Sequence, residues 1–125
     1  MPPDTLAPST TLRLKDPALL RQQCYIDGHW ADADNGATHD VNNPATGARI
    51  GTVPVMGAAE TRRAIEAADR AWSAWRVKTA KERSNILRKW AELQLAHAED
   101  LALIMTTEQG KPLAEARAEI TIGAA

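Results

Sequence analysis

After Gly57 the spacing of apolar residues changes from about two to about 3.6, and it stays there to the end of the chain. A pattern of this kind predicts hairpins first and helices afterwards, with no sheet of their own for the helices to cover. Ala58 to Trp75 places Ile65, Ala68, Trp72 and Trp75 on one face, with Glu60, Arg62, Arg63, Glu66, Asp69 and Arg70 mostly elsewhere. Thr79-Ala80-Lys81-Glu82 fits a capping box, in which Thr and Glu reciprocally satisfy free helix N–H groups. The helix it opens runs to about Ala98 with Ile86, Leu87, Trp90 and Leu93 as its stripe. Asp100 to Gln109 continues helical with Leu101, Ile104 and Met105 on one side, and Gly110 is the stop. Lys111-Pro112 restarts the chain into a last helix, Leu113 to Ala125. Its end, Ile120-Thr121-Ile122-Gly123-Ala124-Ala125, has no charge and no polar final turn, which reads as a pattern stopped midway.

The part before Gly57 is punctuated as β structure. Residues 1–15, with Pro2, Pro3 and Pro8 and no apolar periodicity, read as a flexible tail ahead of a single unit over residues 16–125. Asp16-Pro17 is a helix start, and a short helix is expected from Pro17 to Gln23. Asp27-Gly28 joins Cys24–Ile26 to His29-Trp30 as a tight hairpin, and Asn35-Gly36 marks a second turn. Thr38 to Asn42 and Arg49 to Val55 read as strands around the loop Asn43-Pro44-Ala45-Thr46-Gly47, with Pro54 at an edge or strand end.

Composition narrows the function classes. Fifteen Lys and Arg against sixteen Asp and Glu leave a net charge of −1, without the basic footprint of a non-specific nucleic-acid binder. A single cysteine, Cys24, excludes an intrachain disulfide and fits a reducing compartment. No apolar run approaches the roughly 20 residues of a membrane span, and Met1-Pro2-Pro3-Asp4 does not open a secretory signal. A cytoplasmic protein with no nucleic-acid or membrane partner is expected. With 125 residues the chain should bury roughly two-thirds of its unfolded surface. Four Trp, one Tyr and no Phe leave the core to Leu, Ile, Val and much Ala, whose burial contributes little at about 25 cal/mol per Å². Ala-rich helices of this kind need a broad partner surface.

Residues that could carry chemistry are few. Gly110-Lys111 is followed by Pro112, so it is no phosphate loop, and the seven glycines nowhere form the Gly-x-Gly-x-x-Gly pattern. His29, His39 and His97 lack partners at metal-ligand spacing. Cys24, between Gln23 and Tyr25 at a strand head, reads as a small buried hydrophobe rather than a nucleophile. Trp72, Trp75 and Trp90 fall on helical stripes and are expected to pack between two antiparallel helices. Arg62-Arg63 and Lys81-Glu82-Arg83 read as solvated faces. No catalytic, cofactor-binding or metal-binding residue is assigned.

Several runs, taken in order, resemble the N-terminal end of the aldehyde dehydrogenase superfamily. They are Tyr25-Ile26-Asp27-Gly28-His29-Trp30, Asn43-Pro44-Ala45-Thr46-Gly47, Ala64-Ile65-Glu66-Ala67-Ala68, Ala71 to Trp75, Glu82-Arg83-Ser84-Asn85-Ile86-Leu87 and Thr107-Glu108-Gln109-Gly110-Lys111-Pro112-Leu113-Ala114-Glu115-Ala116. Within it, Leu19-Leu20-Arg21-Gln22-Gln23, Val55-Met56-Gly57-Ala58 and Thr79-Ala80-Lys81-Glu82-Arg83 resemble bacterial succinate-semialdehyde dehydrogenases of 4-aminobutyrate degradation.

The resemblance implies an α/β fold, of which this stretch would supply a β-hairpin region and Ala-rich helices of the Rossmann-like coenzyme-binding domain, incomplete by itself. It implies oxidation of an aldehyde to an acid with NADP or NAD in a homo-oligomeric full-length enzyme. There a cysteine thiolate attacks the aldehyde and a glutamate activates water, both from motifs that do not occur in these residues. Cys24 does not match that nucleophile. The expectation is therefore a chain that is inactive alone and binds no coenzyme tightly. In some family members a monovalent cation is held near this region; the corresponding positions here are Val41, Asn42 and Glu108, with Glu108 expected as a surface carboxylate at a helix end. The alternatives are a free-standing helical interaction module built on the same scaffold, or a dehydrogenase of another substrate such as glutarate semialdehyde or betaine aldehyde.

Overall fold

The computed structural model describes residues 11–125, so most of the tail expected over residues 1–15 lies outside the described residues. Asp16 caps the start of a 3₁₀ turn, Pro17–Leu19, by accepting the Ala18 N–H at 3.0 Å. The helix expected to reach Gln23 ends there. Leu20 is extended, and the Gln22 side chain is taken up elsewhere: its Oε1 accepts the Thr52 N–H at 2.9 Å. A Cβ on Gly51 would lie 2.8 Å from that same oxygen, so glycine is what lets Gln22 approach.

Two antiparallel hairpins follow. The first pairs β1 (Cys24–Ile26) with β2 (His29–Ala31). Asp27 and Gly28 both have positive φ, 51° and 78°, the primed turn geometry that matches the twist of adjacent strands. Tyr25 and Trp30 face each other across it with ring centroids 5.1 Å apart, and the Arg21 guanidinium sits 4.5 Å from the Trp30 ring. The second pairs β3 (Thr38–Asn42) with β4 (Arg49–Pro54), with a register shift between Val41 and Asn42. Its loop is closed by the Asn43 N–H to the Ala48 carbonyl at 2.8 Å, with Asn43 Oδ1 accepting the Ala45 N–H. Pro54 is the last residue of β4, where its missing donor costs nothing.

The helices are α1 (Ala58–Arg76), α2 (Ala80–Ala96), α3 (Ala98–Gln109) and α4 (Leu113–Gly123). The capping box at α2 forms as expected: Thr79 Oγ1 accepts the Glu82 N–H at 3.2 Å and Glu82 Oε2 accepts the Thr79 N–H at 2.7 Å. At α1 the same device is half-used, with Glu60 reaching back to the Gly57 N–H. Gly110 ends α3 at φ 81°, and a Cβ there would also lie 2.9 Å from Pro44 Cγ, so the Asn-Pro loop abuts the end of α3.

The packing corrects two expectations. α1 lies against β1, whereas α3 packs along α4 with α2 on their flank. The buried hydrophobic residues are Ala33, Ala48, Ala67, Ala102 and Ala116, and no large side chain is fully buried among the described residues. Of the expected core of Leu, Ile, Val and much Ala, the Ala part is therefore assembled here and the larger residues are not fully buried. Trp72, Trp75 and Trp90 do not pack between two helices: Trp72 is 55% and Trp90 62% exposed, and Trp75 is half-buried.

Candidate functional site

Among the described residues, an apolar surface without a structural partner lies on α1 and α2. α1 is held in place by its polar and small residues. Arg63 makes a two-pronged pair with Asp34 at 3.0 and 2.5 Å, and Arg70 reaches Asp27 at 3.2 Å. Ala67 is buried and Ala64 half-buried beside the first hairpin. Fixing that face leaves Ile65, Ala68 and Trp72 pointing to solvent, although the 3.6-residue pattern marks them as the apolar stripe. On α2 no residue is buried, and all four stripe residues, Ile86, Leu87, Trp90 and Leu93, are exposed.

Two open grooves run along this surface. One, of about 610 Å³, is lined by Trp75, Arg83, Leu87 and Ala91 together with Ala124. The other, of about 430 Å³, lies among Leu19, Trp90, Leu93, Leu101 and Ile120. Arg83 Nε is buried at the first groove without a hydrogen-bond partner, and Thr106 Oγ1 is in the same state on α3. Chemically the surface offers apolar area with isolated donors, which suits docking.

Electrostatics tie elements together. The Arg63 guanidinium, and after it Glu60, hold the Asp34 carboxyl below the usual carboxylate range. Arg117 does the same for Glu99 through bonds of 3.0 and 2.8 Å, joining α4 to α3. The Asp100 carboxyl is lowered by the Asp16 N–H and then the Lys15 N–H, and Glu82 by the Thr79 backbone.

The chain matches the aldehyde dehydrogenase family over residues 30–125. It belongs to that family. It is 65% identical over 113 residues to a glutarate-semialdehyde dehydrogenase of Pseudomonas aeruginosa, covering 90% of this chain and 23% of that one. It is 58% identical to the NADP+-dependent succinate-semialdehyde dehydrogenase of Escherichia coli, with the same coverage. The crystal structure of succinate-semialdehyde dehydrogenase from Burkholderia pseudomallei superposes with a TM-score of 0.87 at 64% identity, over 89% of this chain and 23% of that one. The chain thus spans about 23% of the length of the relatives it matches.

Within this family member the residues singled out in sequence stand apart. Cys24 opens β1 opposite Ala31 and is half-buried. His29 places Nδ1 2.7 Å from the Asp27 carbonyl, His39 lies in β3 opposite Val53, and His97 caps the junction of α2 and α3. Val41 and Asn42 flank the register shift of β3, and Glu108 is exposed one residue before the end of α3. The Pro44–Gly110 approach does bring the Asn-Pro loop to the end of α3. No group of three or more His, Cys, Asp or Glu that could hold a metal ion occurs among the described residues. Sequence reasoning missed Asp100 and Gln22, whose partners lie 84–85 and 30 residues away, beyond any local signal.

Proposed function

We propose that these 125 residues serve as an N-terminal, non-catalytic packing layer of an NAD(P)-dependent semialdehyde dehydrogenase. The carrying observation is that the apolar stripes of α1 and α2 lie open in a chain spanning about 23% of its relatives' length. In such an enzyme those stripes would be covered by the rest of the polypeptide, and Arg83 Nε would find its acceptor there. The reaction would be oxidation of succinate or glutarate semialdehyde to the dicarboxylate, the first being the step in 4-aminobutyrate degradation. The two substrates differ by one methylene, a difference worth only about 1–3 kcal/mol in a fitted pocket. The single cysteine and the bacterial relatives support a cytoplasmic setting.

The residues present do not fit a dinucleotide. Pyrophosphate is commonly held at a helix N-terminus by free N–H groups and the positive end of the dipole. Here every α-helix carries carboxylate in its first turn: Glu60, Glu82, Glu99 with Asp100, and Glu115. Glu60 and Glu82 also occupy the backbone donors that open α1 and α2. Coenzyme binding and hydride transfer are therefore assigned to other parts of the enzyme.

The test is a nicotinamide reduction assay. The chain alone, with NADP+ or NAD+ and either semialdehyde, should give no turnover above the protein-free blank. Co-expressed with the remaining length of the E. coli relative, it should form an active assembly. Turnover by the chain alone would overturn the proposal. A sharp melting transition with a single defined oligomer, together with failure to complement, would favour the free-standing interaction module.

A further inference from the structure

We propose that Asp100 is a clamp that straps the segment Lys15–Leu19 across the start of α3 and so fixes Leu19 as a wall of the groove beside Trp90. Asp100 is the third residue of α3 and only 6% exposed. Its Oδ1 accepts the Lys15 N–H at 2.9 Å and its Oδ2 accepts the Asp16 N–H at 2.8 Å. Two consecutive amides on the two oxygens of one buried carboxylate fix the direction of the arm as well as its position. Directly after this anchor the arm turns: the Leu19 N–H reaches the Asp16 carbonyl at 3.1 Å and the Leu20 N–H the Pro17 carbonyl at 3.3 Å. That turn places Leu19 on the wall of the groove that Trp90, Leu93, Leu101 and Ile120 also line. The other end of the arm is pinned by Gln22 on Thr52 of β4. The arm is therefore a strap held at two points, one on each half of the molecule.

The groups facing the carboxylate favour its charged form. Lys15 and His97 add positive charge, while the neighbouring Glu99 is turned to Arg117 of α4. With both amides donating, the carboxyl sits below the ordinary value of about 3.9. The carboxylate thus holds both amides through the neutral range, and its protonation in acid would release one of them.

Backbone hydrogen exchange on the whole chain tests this. The Lys15 and Asp16 amides should be slowed at least about tenfold against the Arg13 amide. Asp100→Ala should remove that protection, expose Lys15 to trypsin and leave the β3–β4 amides unchanged. Asp100→Asn, which offers one acceptor oxygen, should release one of the two amides. Unprotected Lys15 and Asp16 amides in the wild type, or protection that survives Asp100→Ala, would overturn the proposal. Should Asp100→Ala lose protection throughout, the wild-type acid titration decides. The Lys15 and Asp16 amide proton shifts must then follow the Asp100 carboxyl, and independent titration would overturn the clamp.

Discussion

The α3–α4 pair and the α1–α2 pair both carry apolar faces, yet only the first buries a shared contact, with Ile122 near its end staying open. α3 and α4 meet through small residues: Ala102 and Ala116 are both fully buried, and Arg117 on Glu99 closes the seam. Thr107 donates its hydroxyl to the Leu103 carbonyl at 2.7 Å and so hides its polar atom inside its own helix. α1 and α2 carry the bulk instead, and Ile65, Trp72, Leu87 and Trp90 are each more than half exposed. Small residues let backbones approach and complete a contact locally; large side chains need a surface of matching breadth. Fully burying such a side chain contributes about 1.5–3 kcal/mol, so covering the stripes of α1 and α2 supplies a substantial force for docking. The difference between the pairs separates what holds these residues together from what they leave open.

The sharpest way to break the comparison is to overfill the finished seam. Ala116→Leu should lower stability by about 2–3 kcal/mol in denaturant unfolding, because the seam has no room for the added carbons. Trp90→Ala, normally a loss of about 3–5 kcal/mol in a core, should cost well under that here, since the ring is already in solvent. Next comes Gly110→Ala, which forces a side chain into left-handed backbone and against Pro44 and should cost about 1–2 kcal/mol. Thr79→Ala removes the cap of α2 and should cost about 1 kcal/mol, read as lower helix content on the α2 side.

The gentlest effect is that of pH, and it is shared: Asp34 beside α1 and Glu82 at the start of α2 are lowered as well as the carboxylates of α3. Asp100 and Glu99 both have depressed folded values. Their contribution is therefore complete above the unfolded value of about 4 and drains away as pH falls through the lower folded values. Thermal midpoints should stay level from neutrality to about pH 5 and fall below pH 4. Asp100→Asn should flatten that fall.

Much of the local structure was legible because it is written within a few residues. Asp27-Gly28, Thr79 with Glu82, and Gly110 each name a geometry that their own side chains or lack of them enforce, and all three appear. The bounds of α1 to α4 fall within two residues of the sequence pattern. What failed was the step from amphipathicity to burial. Periodicity says that Ile65, Trp72 and Trp90 share apolar faces, and says nothing about whether this chain contains their cover. The 3₁₀ turn at Pro17–Leu19 ended early for a similar reason, since Gln22 answers to Thr52 and not to its own helix. Of the candidate site, the resemblance in the Asn43–Gly47 and Glu108–Pro112 runs led to the family, while the docking surface needed coordinates.

Whether the α1 and α2 stripes lie open is read most directly by apolar-dye binding to the chain alone, compared with the same chain carrying Trp72→Glu and Trp90→Glu. Strong dye binding is expected of the first, and loss of most of it in the second with helix content unchanged. Absence of dye binding by the unaltered chain, or collapse of the helices in the double variant, would mean that these rings are core and that the open face does not exist.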